Sequence, residues 1–159
     1  MRLVCTMVSL LCAAGALLAQ SQPSIIGTWK VIAYENHNAD GTTDYPFGEK
    51  PAGYFVYDAT GHLSVQIMRT PPMKDVPGLR QGKGTGEQYK EAFNSFVAYF
   101  GTYTVDAEKG IVTHHVEGAS RPDYIGTDQP RPFRFESDHL IIEIRRGKDY
   151  FRRELVRVR

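Results

Sequence analysis

His114 and His115 are the residues best suited to proton chemistry in this chain. They lie in a run, Ile111 to Glu117, whose apolar residues alternate, so the two rings point to opposite faces of a strand. Val112 and Val116 share a face with His114, and Thr113 and Glu117 share the other with His115. The apolar face is the inward one, which puts His114 in the interior. There it is either a hydrogen-bonded core histidine or a polar fixture of a pocket, able to titrate near neutral pH. His115 and Glu117 read as a solvated pair.

Arg131 is in phase with Phe133 and Phe135. A guanidinium buried without a partner is costly, so an inward Arg131 demands a carboxylate, a cluster of carbonyls or an anionic ligand. Its place at a strand start allows a milder solution, with the head in water at the rim, and the rim is the expectation. Tyr57, Tyr103 and Gln66 are further ligand-binding candidates, since each offers a hydroxyl or amide among apolar neighbours. Tyr103 shares an inward face with Val105. Tyr57 shares a face with Phe55, whose direction the alternation does not fix. Gln66 alternates with Ser64 and Met68, opposite Leu63, Val65 and Ile67, so an inward apolar set leaves Gln66 outside. Trp29 shares a face with Val31 and Ala33 and is expected to plug one end of the fold, with an arginine from the last strand stacked on it.

Other chemistry finds no support. Gly82-Lys83-Gly84-Thr85-Gly86 lacks the spacing of a phosphate loop and follows no strand. No histidine pair has helical ligand spacing, and Cys5 and Cys12 both precede residue 20, so no metal site is expected. No serine-centred nucleophile elbow occurs, and neither a catalytic set nor a cofactor is assigned.

The elements that must hold these residues are strands. Period-two alternation marks Ile25 to Glu35, Tyr54 to Tyr57, His62 to Met68, Thr102 to Val105, Ile111 to Glu117, Arg131 to Glu136, His139 to Arg145 and Asp149 to Val158. Asp58-Ala59-Thr60-Gly61, Asp106 to Gly110 and Gly147-Lys148 are the hairpin connections. Prolines and glycines in 69–86 deny that stretch regular structure and suggest a lid, a binding loop or a disordered segment. One helix is expected from Tyr89, Ala92, Phe93, Phe96, Val97 and Phe100, capped by Thr85 with Gln88, stopped at Gly101, and packing its stripe into the core. Eight antiparallel strands manage their edges best by closing into a barrel, whose interior is filled by side chains or holds one small ligand.

The chain also resembles a known family. Gly27-Thr28-Trp29-Lys30 is similar to the Gly-x-Trp signature of lipocalins. Tyr57 to Ile67, Phe100 to Val105, Val112 to Glu117 and Gly126 to Arg131 resemble, in that order, stretches of the bacterial and fungal lipocalin-like domain family. The resemblance spans the chain beyond residue 20 and implies an all-β, antiparallel calycin-type barrel of eight strands or slightly more, with one helix.

Residues 1–19 read as a secretory signal peptide, with Arg2 before the uncharged run Leu3 to Leu18 and cleavage near Ala19. Residues 20–159 form the barrel domain, secreted or periplasmic, without stable membrane insertion. Loss of Arg2 leaves 19 − 1 = 18 bases against 18 acids, a balance that argues against nucleic acid as a partner. The expected function is binding of a small, largely apolar or amphipathic molecule inside the barrel. The alternatives are a barrel enzyme of isomerase, cyclase or hydratase type with His114 as acid/base, and an envelope interaction protein.

Overall fold

The computed structural model of the chain describes residues 24–159, so the expected leader and its cleavage site lie outside the described residues. The strands are β1 (Gly27–His37), β2 (Thr43–Asp44), β3 (Ala52–Tyr57), β4 (His62–Met68), β5 (Phe96–Asp106), β6 (Ile111–Ala119), β7 (Asp128–Glu136), β8 (His139–Arg146) and β9 (Asp149–Arg157). Each pairs antiparallel with its neighbour in the order β2-β1-β3-β4-β5-β6-β7-β8-β9, and β1 pairs with β9 as well. The last pairing closes eight strands into a barrel. The two-residue β2 only extends the far end of β1, through Asn36 opposite Asp44 and His37 opposite Thr43.

Closure explains the alternation. Along β4 the residues Leu63, Val65 and Ile67 are buried while His62, Gln66 and Met68 are exposed. A barrel removes free sheet edges and gives every strand one inner face. The inner faces of β1, β3, β6, β8 and β9 meet in a core that includes Trp29, Val31, Tyr57, Val112, Leu140 and Leu155. Within this core Trp29 is almost wholly buried. It donates its indole N–H to the Ile25 carbonyl at 2.7 Å, and the Arg157 guanidinium lies 4.2 Å from its ring centre. Arg157 in turn donates to the Ile26 carbonyl at 2.7 Å, tying β9 to the segment before β1.

Among the described residues the one α-helix, α1, spans Gly86–Asn94 and stops well short of the expected Phe100. The capping box is present, with the Thr85 amide donating to Gln88 at 2.7 Å and the Gln88 amide donating to Thr85 at 3.3 Å. Beyond Asn94 the residues follow period two instead: Val97, Tyr99 and Gly101 are buried, and Phe96 and Phe100 are exposed. Phe96, Val97 and Phe100 fit either period, and pairing with the whole of β4 decides for the strand. The helix buries no residue, so its aromatic stripe is not core; Tyr89 and Phe93 remain exposed. Gly101 is no helix stop either. It sits at a β-bulge against β6, where an added Cβ would lie 2.0 Å from the His115 carbonyl oxygen.

Candidate ligand-binding site

The barrel interior holds a cavity of about 480 Å³ at the end away from Trp29. Such a volume falls within the usual range for small-molecule pockets, about 300–1,000 Å³. The apolar part of its wall comes from inward residues of several strands, among them Phe55, Val65, Val97 and Ile142. Phe47, on the connection between β2 and β3, packs edge-on against Tyr34 at 4.8 Å and forms part of the mouth. Asn94 at the end of α1 and Arg121 and Tyr124 on the connection between β6 and β7 complete it. The expected lid, 69–86, contributes no residue to this wall. It is held to the side, with the Arg69 amide donating to the Ser95 carbonyl at 2.8 Å and the Tyr89 hydroxyl donating to the Leu79 carbonyl at 2.9 Å.

Beneath the cavity a histidine is held between two tyrosines. His114 is fully buried, with Nε2 2.9 Å from the Tyr57 hydroxyl and Nδ1 3.0 Å from the Tyr99 hydroxyl. A neutral imidazole has one N–H and one lone pair, so one tyrosine donates to the ring and the other accepts from it. Burial lowers the His114 pKa to about 3, and the charge of Arg131 and the neighbouring His115 push the same way. The ring is therefore neutral at neutral pH and offers neither a proton nor useful basicity there. Burial likewise raises the Tyr57 and Tyr99 hydroxyls above the ordinary phenol range. Of the three, only Tyr99 reaches the cavity wall.

The other candidates separate. Arg131 is not at the outer rim but in the cavity wall, with Nη2 donating to Gln129 Oε1 at 3.1 Å. The strand-start argument for the rim fails because β7 begins three residues earlier, at Asp128. Tyr57 faces inward and is almost fully buried, yet it lies below the cavity wall, engaged with His114. Tyr103 packs edge-on against Tyr57 at 5.1 Å and donates its hydroxyl to the Asp58 carbonyl at 2.7 Å, so it braces the β3–β4 hairpin and is absent from the wall. Its expected inward companion Val105 is exposed. Gln66 is exposed on the outer surface, beside Ser64 at 3.4 Å, because the apolar residues of β4 take the inner face. His115 faces out as expected, but its partner is Asp128 across the ladder, Nδ1 to Oδ1 at 2.7 Å, not Glu117. Among the described residues no group of three or more His, Cys, Asp or Glu is placed to hold a metal ion.

Sequence reasoning passed over Arg153, Tyr34, Tyr99 and Tyr124. The Arg153 guanidinium lies 3.3 Å from the Tyr34 ring centre, and its Nη groups donate to the Arg152 carbonyl at 3.0 Å and to Asn36 Oδ1 at 3.1 Å. Its burial lowers its pKa; Tyr34 opposes that and Arg131 reinforces it. The signal was the phase Phe151-Arg153-Leu155, the same logic that singled out Arg131. Tyr99 was hidden by the helix assignment.

These features define an antiparallel barrel, closed at one end by its core and hollow at the other. The lipocalin-like domain description matches residues 26–154, and the chain belongs to that family. No curated protein matches the chain. Among solved structures, the chain is similar to a crystal structure of a mutant of the fluorescent protein UnaG at 13% identity, covering 84% of this chain and 96% of that one, with a TM-score of 0.37.

Proposed function

We propose that the protein is a carrier or receptor that holds a small molecule with an apolar body in the open half of the barrel. The observation that carries this reading is the 480 Å³ cavity, walled by Phe55, Val65, Val97 and Ile142 and reached past Phe47 and Tyr124. Removing apolar surface from water supplies the driving force, at roughly 25 cal/mol per Å². Tyr99 and Arg131 orient the guest, and Tyr57 and His114 act through Tyr99 by fixing its hydroxyl. The apolar leader with Arg2 at its head supports export, so the protein would meet its guest outside the cytoplasm.

The test is a solvent extract of the purified protein, analysed for co-purifying molecules, together with titration of a neutral fluorescent probe, phenylnaphthylamine. Wild type should enhance its fluorescence saturably. Val97→Trp, which fills the cavity from β5, should abolish the enhancement while far-UV circular dichroism stays that of the barrel. Equal enhancement by both proteins would place the probe elsewhere and remove the case for a container.

A further inference from the structure

The cavity wall contains four arginines and no carboxylate. Arg131 and Arg153 lie on the inner faces of β7 and β9, while Arg121 and Arg146 stand near the mouth. Among the described residues none of these four has a carboxylate oxygen within ion-pair distance. Several arginines that face outward are paired instead, although exposed Arg80 makes no ion pair among the described residues. Arg69 reaches Glu91 at 2.8 Å, Arg134 reaches Glu136 at 2.8 Å, and Arg152 reaches Glu154 at 2.7 Å. The chain carries 18 acidic residues, and none of them lines the cavity.

Arg153 and Arg131 differ in how far their donors are engaged. Arg153 is fixed by backbone carbonyls, by Asn36 and by the Tyr34 face, so it is positioned but not neutralised. Arg131 makes one well-formed bond, to Gln129, and a long one to the Pro130 carbonyl at 3.4 Å. A guanidinium carries five N–H groups. Arg131 and Tyr99 line the cavity together, Arg131 acts on the Tyr99 hydroxyl, and no carboxylate takes up the remaining donors. A half-buried cation beside a second one is costly to leave uncompensated, and a planar fork suits a carboxylate or sulfonate. The low pKa imposed on His114 and Arg153 by burial and by Arg131 agrees with an interior that lacks negative charge.

We infer that the guest is an organic anion, its acid group seated on Arg131 beside Arg153 and Tyr99 and its apolar body against the β3–β5 wall. This rests on the container reading above and narrows it from apolar molecules to amphiphilic acids. Arg121 and Arg146 at the mouth give the entrance the same sign, which draws anions in.

The experiment compares two probes of one skeleton, anilinonaphthalene sulfonate and the neutral phenylnaphthylamine. Wild type should bind the sulfonate about tenfold tighter or more, as a charge-assisted pair in a shielded site predicts. Arg131→Gln should erase that preference, lowering sulfonate affinity about tenfold more than it lowers phenylnaphthylamine affinity. In case this variant does not fold, wild type alone provides a second measurement: dodecanoate should displace bound phenylnaphthylamine at a concentration where dodecanol does not. Equal affinity for the two probes, or equal displacement by acid and alcohol, overturns the anion inference and leaves the container intact. A preference that survives in folded Arg131→Gln overturns the seat assigned to Arg131. Binding of neither probe overturns the container reading itself.

Discussion

His114 makes the barrel sensitive to acid in a way that a surface histidine would not. In the unfolded chain its pKa is the ordinary 6.5, and in the fold it is about 3. Between those values the unfolded state binds more protons than the native state. Stability therefore rises with pH across that window: it is fully present above about 6.5 and is lost progressively as pH falls toward 3. The slope from one such group is at most about 1.4 kcal/mol per pH unit. Urea midpoints measured between pH 5 and 7, above most carboxylate titration, should fall steadily toward pH 5 in wild type. His114→Gln keeps a donor and an acceptor between Tyr57 and Tyr99 without the basic nitrogen, so its midpoint should fall less steeply toward pH 5 than that of wild type. Superimposable profiles would mean that His114 is not held neutral against its solution tendency.

At the level of elements, what the sequence revealed depended on whether one period or two fitted it. β4 and β6 alternate cleanly, and their observed bounds, His62–Met68 and Ile111–Ala119, nearly coincide with the expectation. The stretch from Tyr89 to Phe100 is apolar at positions compatible with both periods, and only its long-range ladder with β4 sets the boundary at Asn94. That boundary hid Tyr99 and so half of the histidine's hydrogen bonding. Arg153 was legible by phase, but its partner Tyr34 could be found only once β1 was known to pair with β9. The β7–β8 turn offers a test at this scale. Ser137 has φ of 55°, in the left-handed region that L side chains resist. Ser137→Gly should therefore stabilise the protein by about 0.5–1 kcal/mol, net of glycine's greater freedom in the unfolded chain. A lower thermal midpoint in this variant would show that the serine side chain contributes something the turn geometry does not require.

For the whole molecule, the pairing of β1 with β9 brings the two ends of the barrel together. Arg157 donates to the carbonyls of Ser24 and Ile26, and the Val158 amide donates to the Thr28 carbonyl at 2.9 Å. Domains whose ends are adjacent tolerate circular permutation when the new break falls in exposed chain. The 69–86 connection supplies such a place at Lys74 and Asp75, which are both exposed. A short glycine-serine linker from residue 159 to residue 24, with new ends between Lys74 and Asp75, keeps every strand pairing and every cavity residue. The permuted protein should retain the circular dichroism of the barrel. Its thermal midpoint should drop by roughly 2–8 °C, the equivalent of about 1–2 kcal/mol in a domain of this size. Phenylnaphthylamine affinity should be unchanged, because the wall is built from the strands, the α1 terminus and the other two long connections. Retained barrel structure with lost probe binding would instead mean that 69–86 must be continuous for the site to work, as a lid would require.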